Sequence, residues 1–351
     1  MTITDSPQAR TSTADYATVR NSVGVYPITA PLVRVTGDDR LELLDGFGAK
    51  SAEFVEPDTV REVLALNEDG SPFAILLQIE LDEVTWLLPR TPVTAAELQT
   101  YLDAQELPAD VTVEIDPAGW GATAFEGPRA WAVAEHFVDF DISGLTLHGI
   151  TPVESPNIGG ALDGATAHLA RVGTTGEYGY LLLSDAPAAA HDAVLAHAVA
   201  QDGAAVGHEG LARVQSEAGM PVYHAGFGGL SVNEADLAWM VDWQRIGEFH
   251  GSAELVSPTA ETAKLVGLVA EAGVHVEVGA AVTAGGVEIG TVVAQTPSAN
   301  PAEELVFALV ESPFWVPGLD LEVVDAHGVA RAAATTTAPR VIARSLHERI
   351  G

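Results

Sequence analysis

Short strand-like segments alternate with helix-like segments over most of the chain, and this alternation is what most limits its possible folds. β-Hairpins are predicted for two pairs of segments: Val63–Asn67 with Phe73–Leu81, and His168–Val172 with Tyr178–Leu183. Helices are predicted for three segments that lie between strands: Asp39–Gly46, Pro92–Ala104 and Ala188–Ala200. Because strand pairs and helices follow one another in this way, the sequence predicts an α+β fold with antiparallel sheets rather than a doubly wound parallel sheet.

The last third of the chain has strand-like segments only. Pro258 and Thr259 belong to a predicted linker, and five short segments beyond it predict strands: Leu265–Val269, Ala281–Val282, Glu288–Val293, Glu304–Val310 and Leu321–Val324. Their close spacing favours a small β-barrel or sandwich, closed by a polar C-terminal tail. At 351 residues the chain exceeds one small core, so we expect a region 1–256 and a barrel domain 257–351.

The charge of the chain restricts its partners. Its formal net charge is −33, from 49 acidic and 16 basic residues, and its only lysines are Lys50 and Lys264. Such a surface repels nucleic acid and anionic membranes, so neither is expected as a partner. No segment reaches the roughly 18 apolar residues of a membrane span, and the polar N-terminus lacks the features of a signal peptide. These observations indicate a cytoplasmic protein.

The absence of cysteine excludes disulfides, thiolate metal sites and cysteine nucleophiles. No zinc motif, phosphate-binding P-loop or dinucleotide-binding glycine fingerprint occurs either, so no metal site is predicted.

Two segments in the middle of the chain carry the most specific pattern. Arg171–Tyr180 reads RVGTTGEYGY, and Gly210–Leu255 contains SEAGMPVYH followed by EADLAWMVDWQRIGEFHGS. In this order and spacing they resemble the aminomethyltransferase family, which includes the glycine-cleavage T-protein and tetrahydrofolate-dependent demethylases. The similarity extends over almost the whole chain. It implies a three-lobed, cloverleaf-like fold with tetrahydrofolate in a central opening.

The resemblance also implies which residues bind the folate. Glu177 matches the family glutamate that holds the pterin, and a carboxylate suits the amino-pyrimidine edge because it accepts two hydrogen bonds. The alternative is a solvated hairpin glutamate. Gly176 and Gly179 would give the turn its backbone freedom. The family's tyrosine in this loop is Thr174 here, whereas Tyr178 directly follows the glutamate.

Cationic and aromatic residues complete the predicted folate site. Arg213 is a candidate for the glutamate tail of folate, because the arginine that the family usually carries nearby is Gln215 here. Glutamine cannot replace the charge of arginine, so Arg90 or Arg245 could also take that contact. Trp243 is a further candidate folate contact. Both Trp239 and Trp243 fit the family pattern, and packing in the core is the simpler interpretation of each.

Three residues are candidates for the chemistry. Where glycine-cleavage enzymes carry an Asp pair, one member of it near the reacting folate nitrogen, this chain has Ala74 and Ile75. Strand alternation places Gln78 and Glu80 on the same face as Ala74, so Glu80 could supply a carboxylate. His224 and Tyr223 are candidate proton donors to a leaving group, although a structural role is as reasonable for the histidine.

These features favour a tetrahydrofolate-dependent methyltransferase that acts as a demethylase on a small O-, S- or N-methylated compound. The loss of the Asp pair argues for methyl transfer rather than methylene transfer, and the acidic surface is a poor dock for an acidic lipoyl carrier protein, which is therefore not expected. Two alternatives stay open. One is an aminomethyltransferase that forms methylenetetrahydrofolate, and the other is a folate-binding protein without turnover.

Overall fold

The structure is a computed structural model that describes residues 12–153, 162–257, 263–296 and 302–350. The linker predicted at Pro258 and Thr259 lies outside the described residues. Seven α-helices lie within the described ranges: α1 Ser12–Asn21, α2 Arg40–Phe47, α3 Ala95–Asp103, α4 Ala130–Ala134, α5 Pro187–Ala200, α6 His208–Glu217 and α7 Val222–Ala225. No helix within these ranges is long and apolar enough to span a bilayer.

The same residues form seventeen strands. They are β1 Gly24–Pro27, β2 Val33–Thr36, β3 Thr59–Leu66, β4 Pro72–Glu80, β5 Val84–Pro89, β6 Thr112–Ile115, β7 Gly121–Glu126, β8 Ile150–Pro152, β9 Ala167–Ala170, β10 Gly179–Ser184, β11 Ala204–Ala205, β12 Ala263–Glu271, β13 Ala281–Ala284, β14 Val287–Gln295, β15 Glu303–Glu311, β16 Asp320–Val324 and β17 Ala330–Thr336.

The strands form two open sheets and one closed barrel. The first sheet has the order β11-β1-β7-β10-β9-β8, the second β3-β4-β5-β2-β6, and the barrel β12-β15-β14-β13-β16-β17. Neighbouring strands are antiparallel throughout these sheets except for β1 and β11. This arrangement confirms the predicted α+β fold with antiparallel sheets and a small C-terminal barrel.

The two open sheets pack against each other. Apolar side chains of the first sheet, such as Tyr26 and Leu181, meet those of the second, such as Leu77 and Trp86, in one buried cluster. The outer face of the first sheet is covered by α4 and α5, and that of the second by α2 and α3. Each open sheet is therefore buried on both faces, which explains the nearly continuous apolar run along β4.

The barrel is joined to the open sheets by a further apolar cluster. Barrel residues Leu265, Val293 and Leu309 pack against the segment that follows α6, including Val222 and Tyr223. The sequence did not reveal β17, because its run ARAAATT has few large apolar residues. Its Ala333 and Thr335 are nevertheless buried, since small side chains suffice at this position in the barrel.

Candidate functional site

A cavity opens at the end of the interface between the two open sheets. It has a volume of about 770 Å³, and its walls include Tyr26, Leu88, Arg90, Gln215 and Tyr223. A smaller cavity of about 220 Å³, here called the side cavity, lies beside this main cavity, and Thr174 and Tyr223 line both. The main cavity is within the size range of sites for small ligands, with mostly apolar walls and a few polar groups.

A buried carboxylate holds the turn that carries Thr174. Glu126, at the end of β7, accepts hydrogen bonds from Thr174 N and Oγ1, both at 2.8 Å, and from Thr175 N at 3.0 Å and Oγ1 at 2.6 Å. The Tyr26 hydroxyl donates to the same carboxylate. Burial and the Glu126 charge raise the pKa of Tyr26 well above its ordinary value, so Tyr26 stays protonated as a donor. Gln215 then donates to Thr174 Oγ1 at 3.0 Å and completes this wall of the cavity.

Three polar side chains, those of Tyr223, Glu62 and Arg90, meet where the main and side cavities adjoin. The Tyr223 hydroxyl donates to Glu62 Oε1 at 2.7 Å, and Arg90 Nε lies 3.6 Å from the same oxygen. Burial and the Glu62 carboxylate raise the pKa of Tyr223, so its hydroxyl remains protonated at neutral pH. Glu62 is paired across strands with Leu77, and both line the side cavity.

Glu62 and Glu126 were not among the residues singled out in the sequence. Glu62 lies in VREVLAL of β3, where the adjacent charged residues Arg61 and Glu62 have the pattern of an ordinary half-exposed strand. Glu126 precedes the Gly-Pro pair that begins the α4 turn, and no local signal marks it as buried.

Tyr223 is the predicted proton donor that lies in the cavity, and His224 does not line it. The His224 ring is mostly buried, with Nδ1 3.4 Å from Ser216 Oγ. Burial, with a smaller contribution from His208, lowers the pKa of His224 to about 4. The imidazole is therefore neutral near pH 7 and has no acidic proton to give at that pH.

Glu80 lies away from the cavity. Strand alternation along β4 directs Leu77 to the cavity and places Gln78 and Glu80 on the opposite face. Glu80 is bound there by Arg40 Nη2 at 2.9 Å, by Thr85 Oγ1 at 2.7 Å and by Gln78 Nε2 at 3.1 Å. The structure therefore places its carboxylate in a buried ion pair, on the face of β4 away from the cavity.

The carboxylate of Glu177 accepts hydrogen bonds from residues that are distant in the sequence. It accepts from Arg20 Nη1 at 3.1 Å, Arg344 N at 3.2 Å, Ser345 N at 2.9 Å and Ser345 Oγ at 2.7 Å. We call residues 340–348 the C-terminal strap. Glu177 does not line either cavity, and binding a pterin through this carboxylate would require the strap to release it.

The two residues next to Glu177 in the chain, Gly176 and Tyr178, face different parts of the molecule. Gly176 lines the side cavity with φ +77°, the left-handed conformation that the turn requires of a glycine. Tyr178 instead faces the strap, where its hydroxyl donates to Glu348 O at 2.6 Å and its backbone N–H donates to Ser345 Oγ at 2.8 Å.

Of the other predicted folate contacts, Arg90 lies in the wall of the main cavity, and the rest lie outside both cavities. Arg213 is fully buried and binds Glu217 Oε1 at 2.8 Å and Glu303 Oε1 at 3.0 Å, so it links α6 to the barrel. Arg245 binds Asp45 at 2.9 Å. The indole of Trp243 packs on the apolar cluster and donates to Ala238 O at 2.9 Å. Trp239, expected in the core, is 59% exposed because it lies at the surface against Lys50.

No group of three or more His, Cys, Asp or Glu residues that could hold a metal ion occurs among the described residues. The polar side chains that line the main and side cavities carry hydroxyls, one amide, carboxylates, imidazoles and guanidinium groups.

Comparison with known proteins gives consistent results along the chain. Residues 5–245 match the family described as the GCVT N-terminal domain. An aminomethyltransferase of Streptomyces coelicolor is 29% identical over 329 residues, which cover 90% of this chain and 85% of the relative. A shorter match, 28% identical over 169 residues, is to the sarcosine oxidase subunit alpha of Rhizobium meliloti, of which it covers 17%.

One solved structure is similar over nearly its whole length. It is the glycine cleavage system aminomethyltransferase T from Bartonella henselae, with a TM-score of 0.75 at 18% identity, covering 95% of this chain and 90% of that one. At this identity the similarity concerns the fold, and it confirms the three-lobed arrangement that the sequence predicted.

Proposed function

This chain belongs to the GCVT family, and on that premise we propose that it is a tetrahydrofolate-dependent one-carbon transferase of the aminomethyltransferase type. The observation that carries the proposal is the pair formed by Glu62 and Tyr223 in the cavity wall. The sequence argued against aminomethyl transfer because Ala74 and Ile75 stand where the family carries its Asp pair. Glu62, on the adjacent strand β3, instead provides a carboxylate in the wall of the side cavity.

The cavity suits a folate. Its apolar walls, formed by residues such as Tyr26, Leu88 and Leu211, can hold a flat ring, and Thr174 and Gln215 offer polar atoms to a ring edge. Bound tetrahydrofolate supplies the nitrogen that accepts the one-carbon unit. The role of Glu177 as a pterin contact remains a prediction, because its carboxylate is bound by Arg20 and the strap and would first have to be released.

The residues of the chain then have distinct roles. In aminomethyl transfer the carbon would lose its bond to the carrier atom, its amine would leave as ammonia, and the carbon would bond to two folate nitrogens. Glu62 would stabilise the positive charge that develops during this exchange, because a fixed carboxylate in a low-dielectric cavity acts strongly on a nearby cation. The protonated Tyr223 holds Glu62 in position through its 2.7 Å hydrogen bond. Glu126 holds the Thr174 turn, which lines both cavities together with Tyr223.

Methyl transfer is the second candidate, and two observations favour it. Ala74 and Ile75 are fully buried and apolar where glycine-cleavage enzymes carry the Asp pair. The net charge of −33 also disfavours an acidic lipoyl carrier, whereas a small methylated donor needs no protein docking. In that reaction the bond from the methyl carbon to O, S or N breaks, the carbon bonds to the folate nitrogen, and a proton from Tyr223 could go to a leaving oxygen.

We also propose that residues 1–256 form the folate-binding region and that residues 257–351 form a barrel domain. The barrel covers the region behind the cavity, because Val293 packs against the cluster that contains Tyr223.

The test follows the one-carbon product. The purified protein is incubated with tetrahydrofolate and either an aminomethyl-loaded lipoyl carrier protein or a panel of O-, S- and N-methylated compounds. Mass spectrometry then follows 5,10-methylene- and 5-methyltetrahydrofolate. The methylene form supports aminomethyl transfer, and the 5-methyl form moves methyl transfer to first place. Neither product, with folate still bound, would reduce the proposal to a folate-binding protein.

Variants connect the product to the site. Glu62→Gln is expected to lower turnover by about 100-fold or more, comparable to the loss of one preorganised electrostatic group. Tyr223→Phe, which keeps the ring, should have a smaller effect. The exposed Glu114→Gln is the matched control, and turnover of Glu62→Gln equal to that of this control would refute the role of Glu62.

A further inference from the structure

Arg90 is a buried cation whose hydrogen bonding is incomplete. It follows β5 directly, lies in the wall of the main cavity, and its side chain is 5% exposed. Its Nε and Nη2 atoms are shielded from solvent and have no hydrogen-bond partner within the described residues. Burying a charged donor without a partner is costly, so such a group in a cavity wall indicates that a ligand completes it.

The ion pair with Glu62 balances the charge of Arg90 but leaves its Nε and Nη2 donors without a hydrogen bond among the described residues. Glu62 Oε1 is 3.6 Å from Nε, beyond hydrogen-bond distance, and the same oxygen accepts the Tyr223 hydroxyl at 2.7 Å. Another carboxylate in the cavity wall, Glu97, accepts hydrogen bonds from the backbone and side chain of Thr94 at the start of α3. His208 also lines this cavity and adds no negative charge.

We infer that Arg90 binds the carboxylate of the small one-carbon donor, so that the site takes an anionic methylated or aminomethylated acid. That the ligand is the one-carbon donor rests on the proposed function, whereas its carboxylate is inferred from the geometry of Arg90. A guanidinium binds a carboxylate through two parallel hydrogen bonds, which a donor without a carboxylate cannot make.

The location of Arg90 distinguishes the donor from the folate tail. Arg90 is sealed in the wall beside Tyr223 and Glu62, the residues to which the chemistry is assigned, whereas a glutamate tail extends away from the reacting ring. A local positive site is also needed in a chain of net charge −33, which otherwise repels anions.

The binding experiment uses matched acid and amide probes. N,N-dimethylglycine, methoxyacetate and (methylthio)acetate are each compared with the corresponding primary amide by calorimetry, in the presence of tetrahydrofolate. Each pair differs in one charge, and the three pairs differ in the methylated atom. Wild-type protein is expected to bind at least one acid about tenfold or more tightly than its amide.

The variants assign the preference to Arg90. Arg90→Met should weaken acid binding about 30-fold or more and remove the preference over the amide, while Arg90→Lys should retain part of it. Arg34→Met, at an exposed ion pair with Glu114, is the control and should bind like wild type. Acids and amides that bind wild type equally, or a preference that survives in Arg90→Met, would overturn the inference. So would the failure of all three acids to bind.

A second comparison tests the folate tail. Binding of tetrahydrofolate and of tetrahydropteroate, which lacks the glutamate, is measured in wild type and Arg90→Met. If the substitution weakens only tetrahydrofolate, Arg90 binds the tail and the inference is overturned. If Arg90→Met does not fold, the wild-type comparisons and Arg90→Lys still decide. Arg90-dependent acid binding without any folate product would refute the proposed function and leave the carboxylate site standing.

Discussion

Replacing Glu177 by glutamine separates a structural from a ligand-binding role of this residue. The carboxylate accepts four hydrogen bonds, from Arg20, the Arg344 backbone and the backbone and side chain of Ser345. An amide oxygen can keep the two from Ser345. The amide NH₂ group would then face the donors of Arg20 and Arg344, which lose their acceptor.

The expected loss of stability follows from these contacts. Two hydrogen bonds to a charged group at about 1.5–3 kcal/mol each give roughly 3–6 kcal/mol. Arg20 keeps its second partner, Glu217, at 3.0 Å, so its charge is not left unpaired. The loss should therefore lie near the lower end, at about 3 kcal/mol in the free energy of unfolding.

Urea unfolding of Glu177→Gln measures this loss, and limited trypsin digestion reports whether the strap is released, because Arg340 and Arg344 lie in it. Glu114→Gln, in an exposed ion pair, should lose at most about 1 kcal/mol. If Glu177→Gln is as stable as this control and its strap is equally protected, while folate binding is lost, the structural reasoning is refuted and Glu177 is a ligand contact.

Three further changes have defined outcomes. The pKa of His224 is lowered to about 4 from 6.5, so between these values the unfolded chain takes up a proton that the folded chain does not. The free energy of unfolding should therefore fall by about 3 kcal/mol as pH decreases through this window. His224→Gln should flatten that pH dependence of urea unfolding, and an unchanged slope would contradict the assignment. Glu126→Gln should lower the free energy of unfolding by about 3 kcal/mol and weaken tetrahydrofolate binding in calorimetry, because the Thr174 turn loses its carboxylate acceptor. An unchanged affinity would argue against that turn as part of the cavity wall. Gly251→Ala should cost more than about 2 kcal/mol in thermal unfolding, because φ is +72° and the new methyl would lie 2.0 Å from Asn67 O; Gly247→Ala, with φ +90° and open space, is the milder control, and equal losses would refute the steric argument.

Local patterns predicted the fold well where the signal itself is local. The hairpin of β3 and β4 was placed correctly because its turn residues and apolar strands are adjacent in sequence. Strand β17 was missed because the barrel accepts alanine and threonine there, and packing rather than propensity decides its conformation.

The site depended more on distant contacts. The Glu62 pair with Tyr223 joins residues 161 positions apart, and nothing near Glu62 in sequence indicates it. The TTGE turn was predicted, yet the bond between Glu177 and Ser345 spans 168 positions, and it decides where that carboxylate points. Alternation along β4 was read correctly, but the sequence does not tell which face of the strand meets the cavity.

The strap also imposes an order on how the molecule matures. Arg20 and Glu177 are synthesised long before residues 340–348, so the acceptor sites of Glu177 stay partly unfilled while the rest of the chain is being made. A fragment that stops before Arg340 would contain every residue of the cavity wall and still lack the donors that seal this buried charge. The stability of the buried Arg20–Glu177 ion pair therefore depends on a segment that is made after every residue of the cavity wall.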